Sequence, residues 1–81
     1  MPAAAQSADE VVWIQIEAQS SLRAGTEAAR GYAEILEDVN GFALGGDWYG
    51  IALGPYTRAD AETALLSYRR DGLIPRDAFI A

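Results

Sequence analysis

The residues of this chain able to do chemistry sit in two short runs, Val12-Trp13-Ile14-Gln15-Ile16-Glu17 and Trp48-Tyr49-Gly50-Ile51-Ala52-Leu53. In each, one alternate row is apolar. The other row begins with a tryptophan, followed by Gln15 and Glu17 in the first run and by Gly50 and Ala52 in the second. An indole offers a flat apolar face with one N–H donor, and an amide both donates and accepts. That chemistry is recognition by stacking and hydrogen bonding rather than bond making. Histidine and cysteine are absent, which removes the commonest general base, the thiolate nucleophile and thiolate metal ligation together. The acids do not replace them, because no pair reads as an apolar-pocketed carboxyl facing a second one across a cleft. Asp38-Val39-Asn40-Gly41 lacks the ligand spacing of a calcium loop and reads as a helix end, while Asp9-Glu10 and Glu37-Asp38 read as solvated charge. We therefore expect no enzyme, no cofactor and no metal.

The elements that must position those rows follow from the same pattern. Strict alternation over 11–16 predicts a half-buried strand with Val12, Ile14 and Ile16 inward and Trp13, Gln15 and Glu17 on the other face. After Ser20-Ser21, Leu22, Ala29, Ala33 and Leu36 fall on one helical stripe with Tyr32 beside it. Gly25 and Gly31 weaken that helix, so its first turn is expected to be irregular. Asn40-Gly41 ends it, and a short strand over 41–44 leads to a tight turn at Gly45-Gly46-Asp47. The third strand, over 48–53, turns Tyr49, Ile51 and Leu53 inward and is stopped by Gly54-Pro55. Thr57 with Asp60 starts a second helix whose buried stripe is Ala61, Ala64, Leu65 and Tyr68. Arg69 and Arg70 suit its C-terminus, and Gly72 is the expected left-handed residue beyond it. A last strand is expected over 77–81. The order β-α-β-β-α-β predicts an α+β fold, a four-stranded antiparallel sheet with two helices on one face. The opposite face is left free for a ligand.

Composition narrows the partner. The 81 residues carry twelve acids against six arginines and no lysine, for a net charge of −6. Such a field repels a phosphate backbone, so no nucleic acid partner is expected even though RNA-recognition modules share this topology. No segment approaches the roughly 20 apolar residues of a membrane span. The Ala/Pro/Ser/Gln-rich stretch 1–9 reads as the end of a linker, disordered for want of anything to bury, with the domain at 10–81.

These residues resemble the SPOR (sporulation-related repeat) domains. Trp13-Ile14-Gln15-Ile16 is similar to their opening strand, a hydrophobic-Gln-hydrophobic run followed by small residues. Trp48-Tyr49-Gly50-Ile51-Ala52-Leu53-Gly54-Pro55-Tyr56 is similar to their third strand, which ends in Gly-Pro-aromatic before a capped helix, and Asp77-Ala78-Phe79-Ile80 resembles their last. The resemblance covers residues 11–81. It implies a non-catalytic module of the bacterial cell envelope, associated with cell division, that binds peptidoglycan glycan strands lacking their stem peptides. Such a module would act in the periplasm as part of a longer exported protein. In that family the open sheet face is the glycan site, so Gln15 and Trp48 map onto binding positions. Two positions depart from the pattern: Gly50 stands where an arginine often follows the aromatic by two, and Glu17 stands where a small residue is usual.

Taken on their own chemistry, Trp48 either stacks on a sugar or covers the sheet edge, and Gln15 either bonds a ligand or is an ordinary solvated strand residue. Trp13 shares the parity of Gln15 but lies near the strand's start, where packing against the linker is expected. An envelope protein partner, held on the same face or at an edge strand, is the alternative to glycan.

Overall fold

The computed structural model describes residues 10–81, and the linker expected at 1–9 lies outside the described residues. Strand parity decides the architecture. Ile14, Ile51 and Leu53 are completely buried, joined by Val12, Ile16, Leu36, Ala61, Ile74 and Ala78. Burying each large aliphatic side chain contributes about 1.5–3 kcal/mol, and these few supply most of what so short a chain can gather. The strands are β1 (Val12–Gln19), β2 (Val39–Gly45), β3 (Trp48–Tyr56) and β4 (Phe79–Ile80), and the helices are α1 (Leu22–Ala33) and α2 (Arg58–Arg70). All pairings are antiparallel, in the order β2-β3-β1-β4. α1 packs over β2, β3 and β1, and α2 over β1, β3 and β4. This is the expected split β-α-β sheet with both helices on one face.

Local signals set the boundaries. Thr57 Oγ1 accepts from the Asp60 amide at 3.2 Å, and Ser21 Oγ does the same for α1 from Ala24 at 3.1 Å, so both helices start on a side-chain cap. Beyond α2, Gly72 takes φ +71° as expected. At the β2–β3 hairpin Gly46 and Asp47 take φ of +57° and +66°, the paired left-handed residues that match a two-residue turn to strand twist.

Several expectations are corrected. Gly54-Pro55 does not stop β3, which continues to Tyr56. α1 ends at Ala33, and β2 begins already at Val39 because Asp38 makes the intervening turn at φ +60°. Leu65 and Tyr68 are half-buried against the core rather than within it, with Ala61 as the innermost residue of α2. α1 starts regularly, and its stripe is rotated: Leu22 is exposed while Gly25 is buried. The cause is proximity, because a Cβ on Gly25 would lie 3.0 Å from Tyr49 Cβ. Glycine there lets the helix sit down on β3.

The largest correction concerns β1. Its register against β3 steps by one residue between Gln15 and Glu17, a bulge that carries Ile16 as the extra residue. Glu17 is therefore paired with Ile51 and shares its helix-facing side. There Glu17 Oε1 accepts the Tyr32 hydroxyl at 2.8 Å, and Oε2 accepts from the Gln19 amide. Burial pushes Tyr32 up to about 12, helped by that hydrogen bond and by the charges of Glu17 and Asp77. Tyr56 is likewise raised to about 12 by burial, with Tyr68, Asp38 and Glu37 adding to it.

Two predictions follow from this packing. Gly25→Ala should lower the melting temperature, since overpacking against Tyr49 costs about 1–3 kcal/mol and exceeds the gain in helix propensity of about 1 kcal/mol. Gly31→Ala, with nothing within 4 Å of the new methyl, should raise it. Equal shifts of one sign would reject the close-approach account. For the tyrosines, a folded value above the ordinary 10.0 makes a contribution present below pH 10 and lost as pH rises toward about 12. Ultraviolet titration should show the Tyr32 and Tyr56 phenolates forming late, with stability falling over the same interval. Ionisation of Tyr32 and Tyr56 near pH 10 in the folded protein would contradict it.

Candidate functional site

On the face away from the helices, the three longer strands present rows of very different size. β3 contributes Gly50, Ala52 and Gly54, while β1 contributes Trp13, Gln15 and, past the bulge, Ala18, and β2 contributes Asn40, Phe42 and Leu44. Small residues on β3 between larger ones make a furrow, walled on both sides at Ala52 by Gln15 and Asn40 and on the β2 side alone at Gly50, where the β1 neighbour is Ala18. Phe79 of β4, half-exposed, pairs with Gln15 and extends the face. No charged side chain among the described residues belongs to these rows.

Two aromatic rings divide the furrow. The Trp13 indole lies over Gly54, where a Cβ would meet its ring carbons at 3.2 and 3.4 Å and the Val12 carbonyl at 3.2 Å. Gly54 also holds φ +137°, so glycine is required there twice over. The Phe42 ring and Leu44 lean over Gly50, where a Cβ would lie 3.1 Å from Phe42 Cζ and 3.2 Å from Leu44 Cδ1. Between the two rings, above the fully buried Ala52, is a recess of about 460 Å³ lined by Trp13, Gln15, Asn40, Gly41, Phe42 and Ala81. Ala52 pairs with Gln15 on one side and Asn40 on the other. The two amides thus face each other across β3, their Cα atoms about 10 Å apart from two strand spacings.

Asn40 is held by its surroundings. Its Nδ2 donates to the carbonyls of Asp38 and Gly54, each at 3.1 Å, and the Gly54 amide donates back to the Asp38 carbonyl at 3.0 Å. Gln15 is half-buried and its side chain has no hydrogen-bond partner among the described residues.

Of the five residues singled out by sequence, the structure brings Trp13 and Gln15 into one recess. Trp13 packs on Gly54, and the linker against which its packing was expected lies outside the described residues. Trp48 is half-exposed at the hairpin end of the same face, about 20 Å along β3 from Gly54. Gly50 is buried beneath Phe42 and Leu44, so an arginine there would first have to displace them. Glu17 leaves the face altogether through the bulge, so it adds no negative charge to it. Asn40 and Phe42 are the residues that sequence reading missed as wall residues. Starting β2 at Val39 would have found both, since Val39, Gly41 and Ala43 then alternate with Asn40, Phe42 and Leu44. Among the described residues no group of three acids is placed to hold a metal ion, and no helix is long and apolar enough to cross a membrane.

Comparison with protein-family models, curated proteins and solved structures finds no match.

Proposed function

We propose that this domain is a non-catalytic module that binds bacterial cell-wall glycan on its open sheet face, favouring strands without stem peptides. The observation that carries the reading is the make-up of that face: Trp13, Phe42, Trp48 and Phe79 interleaved with the amides of Gln15 and Asn40, with no charge among them. Aromatic planes suit the C–H patches of sugar rings, and amides suit their hydroxyl and acetamido groups. The similarity of Trp13-Ile14-Gln15-Ile16 and of the Gly54-Pro55-Tyr56 strand end to SPOR domains points the same way, toward a periplasmic segment of a longer exported protein. A neutral face on a domain of charge −6 is poorly made for RNA despite the shared topology. A second reading, a protein partner in the envelope, draws on β2, an edge strand exposed along nearly all its length.

Co-sedimentation with purified peptidoglycan, with and without amidase pretreatment, tests the proposal. The domain should pellet with the amidase-treated material and little with the untreated. Trp48→Ala should reduce pelleting several-fold while leaving circular dichroism and melting temperature nearly unchanged, because a half-exposed indole adds little to the core. Trp13→Ala should lose binding and some stability together, since it uncovers Gly54. A wild-type domain that stays in the supernatant in both cases would sink the glycan reading, and an unaffected Trp48→Ala would remove Trp48 from the site.

A further inference from the structure

Resting on the glycan reading, we infer that the recess above Ala52 seats the acetamido group of an N-acetylated amino sugar, and that the sugar it selects is neutral. Hydrogen-bond valence sets what the recess can hold. A primary amide has two N–H donors, and Asn40 spends both on backbone carbonyls. Because both partners are acceptors, the amide can only be oriented with nitrogen toward the backbone, and Oδ1 is left as an acceptor without a donor among the described residues. Across β3, the Gln15 amide donates to no partner among the described residues. The recess thus has an acceptor held in place on one wall, an adjustable donor on the other, and the apolar rings of Trp13 and Phe42 at its ends.

A secondary amide with a methyl group matches all of these at once. Its N–H donates to Asn40 Oδ1, its carbonyl accepts from Gln15 Nε2, and its methyl lies against a ring. A hydroxyl alone leaves the rings facing water, whereas a carboxylate meets the Asn40 acceptor with no cation in the described rows of the face to offset its desolvation. The muramic acid carboxylate is therefore not what this recess reads. It reads the acetamido group, which N-acetylglucosamine presents with no carboxylate beside it.

The probes are the β-1,4-linked tetramers of N-acetylglucosamine and of glucose, which share a backbone and differ at the acetamido group. Isothermal titration at moderate salt should show the N-acetylated tetramer binding at least ten-fold tighter. Gln15→Glu, at a half-exposed position, should cost the N-acetylated tetramer five-fold or more and the glucose tetramer little. Saturation-transfer NMR on the unaltered protein gives a readout that needs no variant, with the acetyl methyl expected to receive the strongest transfer. Equal affinity for the two tetramers, equal loss of both in Gln15→Glu, or transfer centred away from the methyl would overturn the inference and leave the glycan reading standing. Pelleting with denuded peptidoglycan without any binding of the N-acetylated tetramer would also overturn it, by showing that the carboxylate-bearing sugar is required. No binding to either tetramer and no pelleting would remove both.

Discussion

The division of labour on β3 is the constraint on which everything else rests. One side of this strand carries Tyr49, Ile51 and Leu53, and the other carries Gly50, Ala52 and Gly54. The large side must be buried, which brings α1 and α2 onto it and fixes Ile14 of β1 opposite Leu53. The small side then has nothing to bury and nothing to project. Its neighbours lean inward over it, Trp13 onto Gly54 and Phe42 onto Gly50. A furrow is what a sheet makes when its middle strand is large on one side and small on the other, with side chains of ordinary size flanking it. The same alternation that builds the core thus shapes the opposite surface.

The fold was readable because each of its parts obeys a short-range rule. Period-two alternation placed Val12, Ile14, Ile51 and Leu53 inside, Thr57 and Gly72 marked the ends of α2, and Gly45-Gly46-Asp47 marked the hairpin. What was not readable depends on pairs of elements. The bulge at Ile16 is a property of β1 measured against β3, and within β1 alone Glu17 looks like one more member of the Trp13 row. Gly25 looks like a weak point in a helix until Tyr49 is beneath it. Asn40 looks like a stop signal because asparagine favours turns, and here Asp38 makes the turn while Asn40 secures it. The candidate site was half legible for the same reason: Trp13 and Gln15 lie on a strand with clear alternation, whereas the opposing wall lies on a strand whose first residues follow an irregular turn.

Charge is segregated in the same way. Among the described residues the acids lie on helices, turns, the helix-facing side and, for Glu10, the approach to β1, and the aromatic rows are left neutral. At physiological ionic strength a charge is screened over about 8 Å. A molecule on the furrow therefore meets neutral surface at close range, while a polyanion approaching from solution first meets repulsion. On the proposed reading, exclusion of polyanions and recognition of a neutral ligand would fall to different parts of the molecule.

The walls of the furrow differ in how firmly they are held. β1 is central, paired on both sides over its first half and buried on every second residue there. β2 is an edge strand with only Val39 packed against the core, yet its start is fastened by the Asp38–Gly54 and Asn40–Gly54 hydrogen bonds. Local opening takes least free energy where backbone hydrogen bonds face water and few apolar contacts would be lost, which describes β2 toward its hairpin end and not at Asn40. The β2 wall is thus fastened at Asn40 and least held at Leu44 and the hairpin. On the proposed glycan reading, a furrow lying open along the sheet face would take a long polymer from the side at any point along its length, so that the number of binding positions would grow with chain length rather than with the number of chain ends.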